Sequence, residues 1–241
     1  METRTEILKS VLVDGGPLYI ETRLDRLVAE PFNAVSASFF IFIAVYWLWK
    51  LRQELRANAF FVTCAVLLLL GGVGGTLFHG TRASRVFLMM DVLPIVVICT
   101  LAGAYFWRHL LGQYWLAGMA LVILPTVLGM PLAHRHLPIQ VAITLSYLVF
   151  AFLVIVPLFL TLYKTQFRHG SLVIGSLFLF LVALICRVAD SYAGTSTYLP
   201  MGSHWLWHSF SAFAVALVFL YLRHFTVQNQ TVRRAAKKKL K

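Results

Sequence analysis

Residues Ala59 to Phe78 read AFFVTCAVLLLLGGVGGTLF, twenty positions without a charge, and His79 follows at once. A helix rises 1.5 Å per residue, so about twenty apolar residues cross a hydrocarbon core of about 30 Å. Working outward, six more runs of this kind appear: Ala34–Trp49, Val86–Trp107, Tyr114–Ala133, Pro138–Tyr163, Ser171–Cys186 and Trp205–Leu222. None alternates polar with apolar, and all are too long for barrel strands. The chain is predicted to be an all-α membrane protein, a seven-transmembrane-helix bundle. Composition agrees. Hydrophobic residues make up 60% and charged residues 12%, with a mean hydropathy of +0.80. Soluble domains carry about a quarter charged residues.

Connections between the runs are short, so residues 34–223 read as one helical domain. Residues 1–33 precede it as an acidic, amphipathic outer segment, and 224–241 follow as a basic cytoplasmic tail. The mixed first thirty residues do not read as a signal peptide. Pro125, Pro131 and Pro157 are expected to kink helices that packing can support. Gly71, Gly72, Gly74 and Gly75 should let the second run approach a neighbour closely. Cys64, Cys99 and Cys186 sit inside apolar runs without short mutual spacing and read as small core residues.

Charge sets the orientation. Alternating crossings put thirteen of the 21 Lys and Arg on one side, from Lys50, Arg52 and Arg56 to the tail beginning at Arg233. The richer side is the cytoplasmic one, so the N-terminus lies outside and the C-terminus inside. Eight of the nine acidic residues fall outside, with Glu54 the exception. The formal net charge of +12 is concentrated in a tail that directly follows an apolar run. Its expected partner is therefore anionic membrane lipid, and no nucleic-acid partner is expected.

Histidine is costly in a bilayer unless it lines a cavity or binds something. His204 and His208 open the last run one helical turn apart, with Trp205 and Trp207 between them. With this topology His79 closes the second run at the outer side. Asp91 lies near the outer start of the third. Three imidazoles and an open position would suit a catalytic zinc ion, and a nearby carboxylate would suit proton transfer, the role read for Asp91. The plainer alternative is a set of headgroup-level histidines beside belt tryptophans. His134 and His136 share an outer loop and read as solvated, while His109, His169 and His224 fall on the cytoplasmic side. Arg187 and Asp190 end the sixth run outside, as an interfacial ion pair or as orienters of a histidine. The carboxylates from Glu21 to Glu30, with Asn33, offer oxygens of the kind calcium takes, yet Arg23 and Arg26 are interleaved and surface pairing explains the pattern as well.

These residues resemble a family. The order Glu30-Pro31-Phe32-Asn33, Gly72 to His79, Asp91 to Pro94, Arg187 to Asp190 and His204 to His208 is similar to that of the alkaline ceramidases. They form a branch of seven-helix membrane hydrolases that also includes adiponectin-receptor-like proteins. The likeness runs from about Tyr19 to Leu222. It implies a zinc ion on His79, His204 and His208, Asp91 beside the reacting water, and hydrolysis of the amide bond of a ceramide-like lipid. It also implies calcium at Glu21, Glu30 and Asn33. The family's serine four residues before the first histidine is Gly75 here, with Thr76 beside it as the nearest hydroxyl and the candidate for the catalytic part. Two rivals stay open: a zinc-containing lipid-sensing receptor of the same fold, and a small transporter. The scarcity of acidic residues deep in the runs speaks against the transporter.

Overall fold

The computed structural model describes the backbone of residues 14–136 and 139–239, and their side chains except those of 126, 127, 129–144 and 227–239. The side chains of Pro131, His134 and His136, and those of the basic tail, therefore lie outside the described residues. Described residues form helices and no strand. Helices α1 (Pro31–Ala37) and α2 (Phe39–Leu51) meet at Ser38, whose φ of −64° and ψ of −17° remain helical. Then come α3 (Ala59–Thr81), α4 (Arg85–Leu111), a 3₁₀ turn (Gly112–Tyr114) and α5 (Trp115–His136). The chain continues with α6 (Ile139–Lys164), α7 (Gly170–Ala189), the single turn α8 (Thr195–Tyr198) and α9 (His204–Lys239).

Local chemistry explains the ends that matter. Pro31 opens α1, where a missing N–H costs nothing. Glu21 then accepts from the next two amides, Phe32 N–H at 2.6 Å and Asn33 N–H at 2.9 Å. Helix α4 starts where Ser84 Oγ accepts from Val86 N–H at 3.1 Å. It ends at Gly112, whose φ of 58° and ψ of −118° suit glycine and turn the chain back. Gly118 on α5 then lies flat against the Trp107 indole of α4, so the two helices pack as a hairpin.

Among the described residues, six stretches are long and apolar enough to cross a membrane: Pro31–Leu51, Ala59–Thr81, Arg85–Pro125, Leu145–Lys164, Gly170–Ala189 and His204–Thr226. This is a multi-pass membrane protein. The third apolar run of the sequence and the first part of the fourth fall together in Arg85–Pro125, 41 residues long. Large apolar side chains such as Phe178 at 65% and Ile185 at 60% exposure face outward, as lipid contact requires.

The helices close on themselves. α3 packs between α2 and α4, α4 also against α6, α6 against α7, α7 against α9, and α9 returns to α1 and α2. One end of the bundle is an apolar cluster that includes Trp47, Phe61, Phe106, Phe219 and Phe225. Polar residues gather at the other end, and closeness there depends on glycine. Gly74 meets the backbone of Met90 and Asp91, where a Cβ would stand only 2.7 Å from Asp91 N. This draws the last turns of α3 and the first turns of α4 together.

Candidate metal centre

His79 stands in the last full turn of α3, and His204 and His208 occupy the first two turns of α9. The three rings are tilted against one another, with centroids 5.3 Å (His79–His204), 4.8 Å (His79–His208) and 4.6 Å (His204–His208) apart. One ligand nitrogen from each falls within 4.8 Å of the others. All three residues are buried, at 0%, 2% and 4% exposure.

Each ring is held from behind. Glu30 Oε2 sits 2.5 Å from His79 Nδ1, and a carboxylate there accepts that N–H. His79 Nε2 is left buried without a partner. His208 Nδ1 lies 3.1 Å from the Asn33 carbonyl, which only accepts, so Nδ1 carries the proton and Nε2 the lone pair. Ser36 Oγ, itself donating to Asn33 O, lies 3.1 Å from the same nitrogen. The His204 ring stacks on Tyr19 at 3.9 Å, and its Nδ1 is buried and unpartnered. Buried polar atoms are seldom left unpaired. Two orphan nitrogens in a cluster of three imidazoles, each backed by another contact, fit a metal ion.

Asp190 anchors the start of α9. Its Oδ1 accepts from Ser203 N–H at 2.6 Å and His204 N–H at 3.1 Å, and its Oδ2 from Ile20 N–H at 3.4 Å. It thus orients His204 through the backbone rather than the ring. Burial pushes the Asp190 carboxyl up, and the three amides pull against that. Gly202, with φ 74°, lies against this carboxylate, where any Cβ would collide. Arg187 does not pair with Asp190. It lies over the Tyr147 ring at 4.8 Å and the Trp207 ring at 5.3 Å, with Nε unpartnered.

Asp91 reaches the centre from α4. Its carboxylate lies over Gly75, one turn before His79, within electrostatic reach of His79 and Arg187. Thr76 points elsewhere: its hydroxyl donates to Gly72 O at 2.8 Å in its own helix.

The residues expected for calcium are otherwise engaged. Both Glu21 oxygens accept from the α1 amides. Glu30, fully buried, accepts from His79 and from Asn33 Nδ2 (3.2 Å) on one oxygen. Its other oxygen takes Thr22 Oγ1 at 2.7 Å and Arg82 at 2.5 Å. Burial would raise the Glu30 carboxyl, but His79 and Arg82 hold it below its ordinary value. Only Asn33 Oδ1 is without a partner in this group. Calcium takes six to eight oxygens, and this set does not fit it.

Tyr19, Thr22 and Arg82 were missed by sequence reasoning. Tyr19 covers the histidines from the N-terminal segment, and burial pushes its phenol above the ordinary range, which keeps it neutral. The signal was its place two residues before Glu21, but a lone aromatic in a polar segment does not announce a lid.

A buried three-histidine centre at one end of a bundle helical throughout its described residues defines the class: a multi-pass membrane protein with a side-chain cluster fit for a metal ion. The ceramidase family profile matches residues 23–240, and the chain belongs to that family. Comparison with curated proteins gives no match.

Proposed function

We propose that this protein is a zinc-dependent intramembrane lipid amide hydrolase, releasing a fatty acid and a long-chain base from a ceramide-like lipid. The carrying observation is the buried His79–His204–His208 cluster with its unpartnered nitrogens, in a chain of the ceramidase family. Three imidazoles suit zinc better than calcium or magnesium. When bound, zinc supplies Lewis acidity, polarising a carbonyl and easing deprotonation of water.

The chain's own residues do the rest. Glu30 and the Asn33 carbonyl keep the Nδ1 protons of His79 and His208 in place, so Nε2 of each faces the centre with its lone pair. Asp91 takes the proton of the attacking water at a carboxylate oxygen and passes it to the amide nitrogen as the C–N bond breaks. Tyr19 shields the centre from bulk water, and the lipid enters sideways between helices. Arg187 and Asp190 support the site, Asp190 by fixing the start of α9 and Arg187 from between Tyr147 and Trp207. Thr76, bonded within its own helix, receives no step.

Arg85–Pro125, taken as two crossings joined at Gly112, makes seven spans in all. With the charge distribution, that supports an N-terminus outside, a cytoplasmic basic tail against anionic lipids, and a centre towards the non-cytoplasmic side. The unit boundaries at 33 and 223 belong to the same reading.

Metal analysis of the detergent-purified protein, beside a panel of ceramides and other acyl amides, tests this. About one zinc per chain and fatty-acid release in the wild type, both lost in His208→Ala, are expected. Undiminished release by His208→Ala would overturn the proposal. Bound zinc with no product from any lipid would favour the sensing receptor.

A further inference from the structure

The N-terminal segment folds back over the metal centre and carries three buried carboxylates there: Asp14, Glu21 and Glu30. Glu21 is matched by the α1 amides. Asp14 and Glu30 need a cation, and the structure contains one. Arg82 donates through Nε to Asp14 Oδ2 at 2.7 Å and through one terminal nitrogen to Asp14 Oδ1 at 3.0 Å. Its other terminal nitrogen reaches Glu30 Oε1 at 2.5 Å and the Pro17 carbonyl at 3.0 Å. Two carboxylates and a carbonyl thus surround one guanidinium whose side chain is fully buried.

The backbone around Arg82 is built for this. Arg82 ends α3 with φ 49°, a conformation that side chains other than glycine rarely adopt. It turns the side chain from the helix axis toward the segment. Gly16 leaves the space: a Cβ there would stand 2.5 Å from Phe78 Cζ and 3.0 Å from an Arg82 terminal nitrogen. Phe78 in turn lies under the guanidinium, 4.5 Å from its carbon. Asp14 also takes Gly16 N–H at 2.8 Å, which bends the segment round the arginine.

We propose that Arg82 is the resident cation of this clasp, holding the N-terminal segment on the metal centre and making the protein independent of calcium. The resemblance assigns calcium to the same segment, but an arginine already satisfies Asp14 and Glu30, and backbone amides satisfy Glu21. A planar, permanently charged fork matches two carboxylates and a carbonyl as a single unit. Because Glu30 binds Arg82 with one oxygen and His79 with the other, Arg82 is also a positioning residue for His79. That last link alone rests on the reading of the histidines as a metal centre.

Thermal unfolding and calcium titration of the full-length protein in detergent test the proposal. The wild-type midpoint should be the same, within about 1 °C, in EGTA and in about 5 mM calcium, which exceeds the affinity of ordinary weak sites. Titration should show no calcium bound. A midpoint raised by calcium, or one calcium per chain, overturns it. Arg82→Met should lower the midpoint by roughly 5–15 °C, with Arg82→Lys in between, because a buried pair is broken. A Met variant as stable as wild type overturns it as well. Should Arg82→Met fail to fold, Asp14→Asn serves: a lower midpoint still silent to calcium supports the clasp, and an unchanged one refutes it. Metal content read in parallel separates the two claims. A wild type without zinc sinks the proposed chemistry and leaves the calcium arms standing.

Discussion

Asp91 Oδ1 lies 2.6 Å from the point where a Cβ on Gly75 would stand. The absent serine and the close carboxylate are therefore one feature. Gly75 gives up a hydroxyl, and the space it leaves is where Asp91 approaches the histidines. The same point is 3.3 Å from Ala37 Cβ, so the helices on both sides are already in contact.

Gly75→Ala should push Asp91 out of line and lower kcat on the order of 10²-fold, the usual cost of a misplacement near 1 Å. Gly75→Ser should do the same rather than improve the enzyme. Steady-state hydrolysis of a ceramide in detergent micelles checks this, with zinc content as a control. A serine variant faster than wild type would show that Asp91 does not depend on this space.

Asp91→Asn should abolish proton transfer while keeping the shape of the site. A fall in kcat of about 10²–10⁴-fold is expected, with the metal retained. Loss of metal together with activity would mark Asp91 as a ligand and remove its proposed part in proton transfer.

Glu30→Gln weakens the support behind His79. Metal affinity, measured by competition with a chromophoric chelator, should fall about 10–100-fold. Asp14→Asn is the matched control, since it leaves the Glu30 bonds to His79 and Arg82 in place and should barely change affinity. Equal losses in the two variants would mean that the clasp, not the Glu30–His79 bond, retains the metal.

Tyr19 separates covering from hydrogen bonding. Tyr19→Phe preserves the ring stacked 3.9 Å from His204 and should behave as wild type. Tyr19→Ala opens the centre, so metal loss to EDTA should quicken by about tenfold or more, the factor expected for about 1.4 kcal/mol of lost ring contact. Identical exchange rates in Ala and wild type would show that the ring is not a lid.

Much of the fold could be read without coordinates because membrane crossing is a one-dimensional property. Twenty uncharged residues from Ala59 to Phe78 form a helix in lipid whatever their neighbours, since unpaired backbone groups cannot survive there. The depth of His79, Asp91, His204 and His208 follows from position along each run. One run was read to end at Trp107 and the next to begin at Tyr114, and the chain turns between them at Gly112, with φ 58°.

The details of the site depend on which way each side chain faces around its helix axis and on how a polar segment packs, and neither is written in hydropathy. Glu30 and His79 are 49 residues apart, and Arg82 and Asp14 are 68 apart. Carboxylates in a polar segment read equally well as calcium ligands, surface pairs or caps. Burial decided among them: once water is excluded each oxygen must find a partner, and Glu21 found amides, Glu30 found His79 and Arg82, and Asp14 found Arg82. Sequence alone determined a helical membrane protein with histidines and a carboxylate near the ends of its runs. Tertiary structure alone decided that three imidazoles face one another, that Gly75 admits Asp91, and that an arginine sits among the carboxylates, because desolvation energy is settled only by what surrounds each group in space.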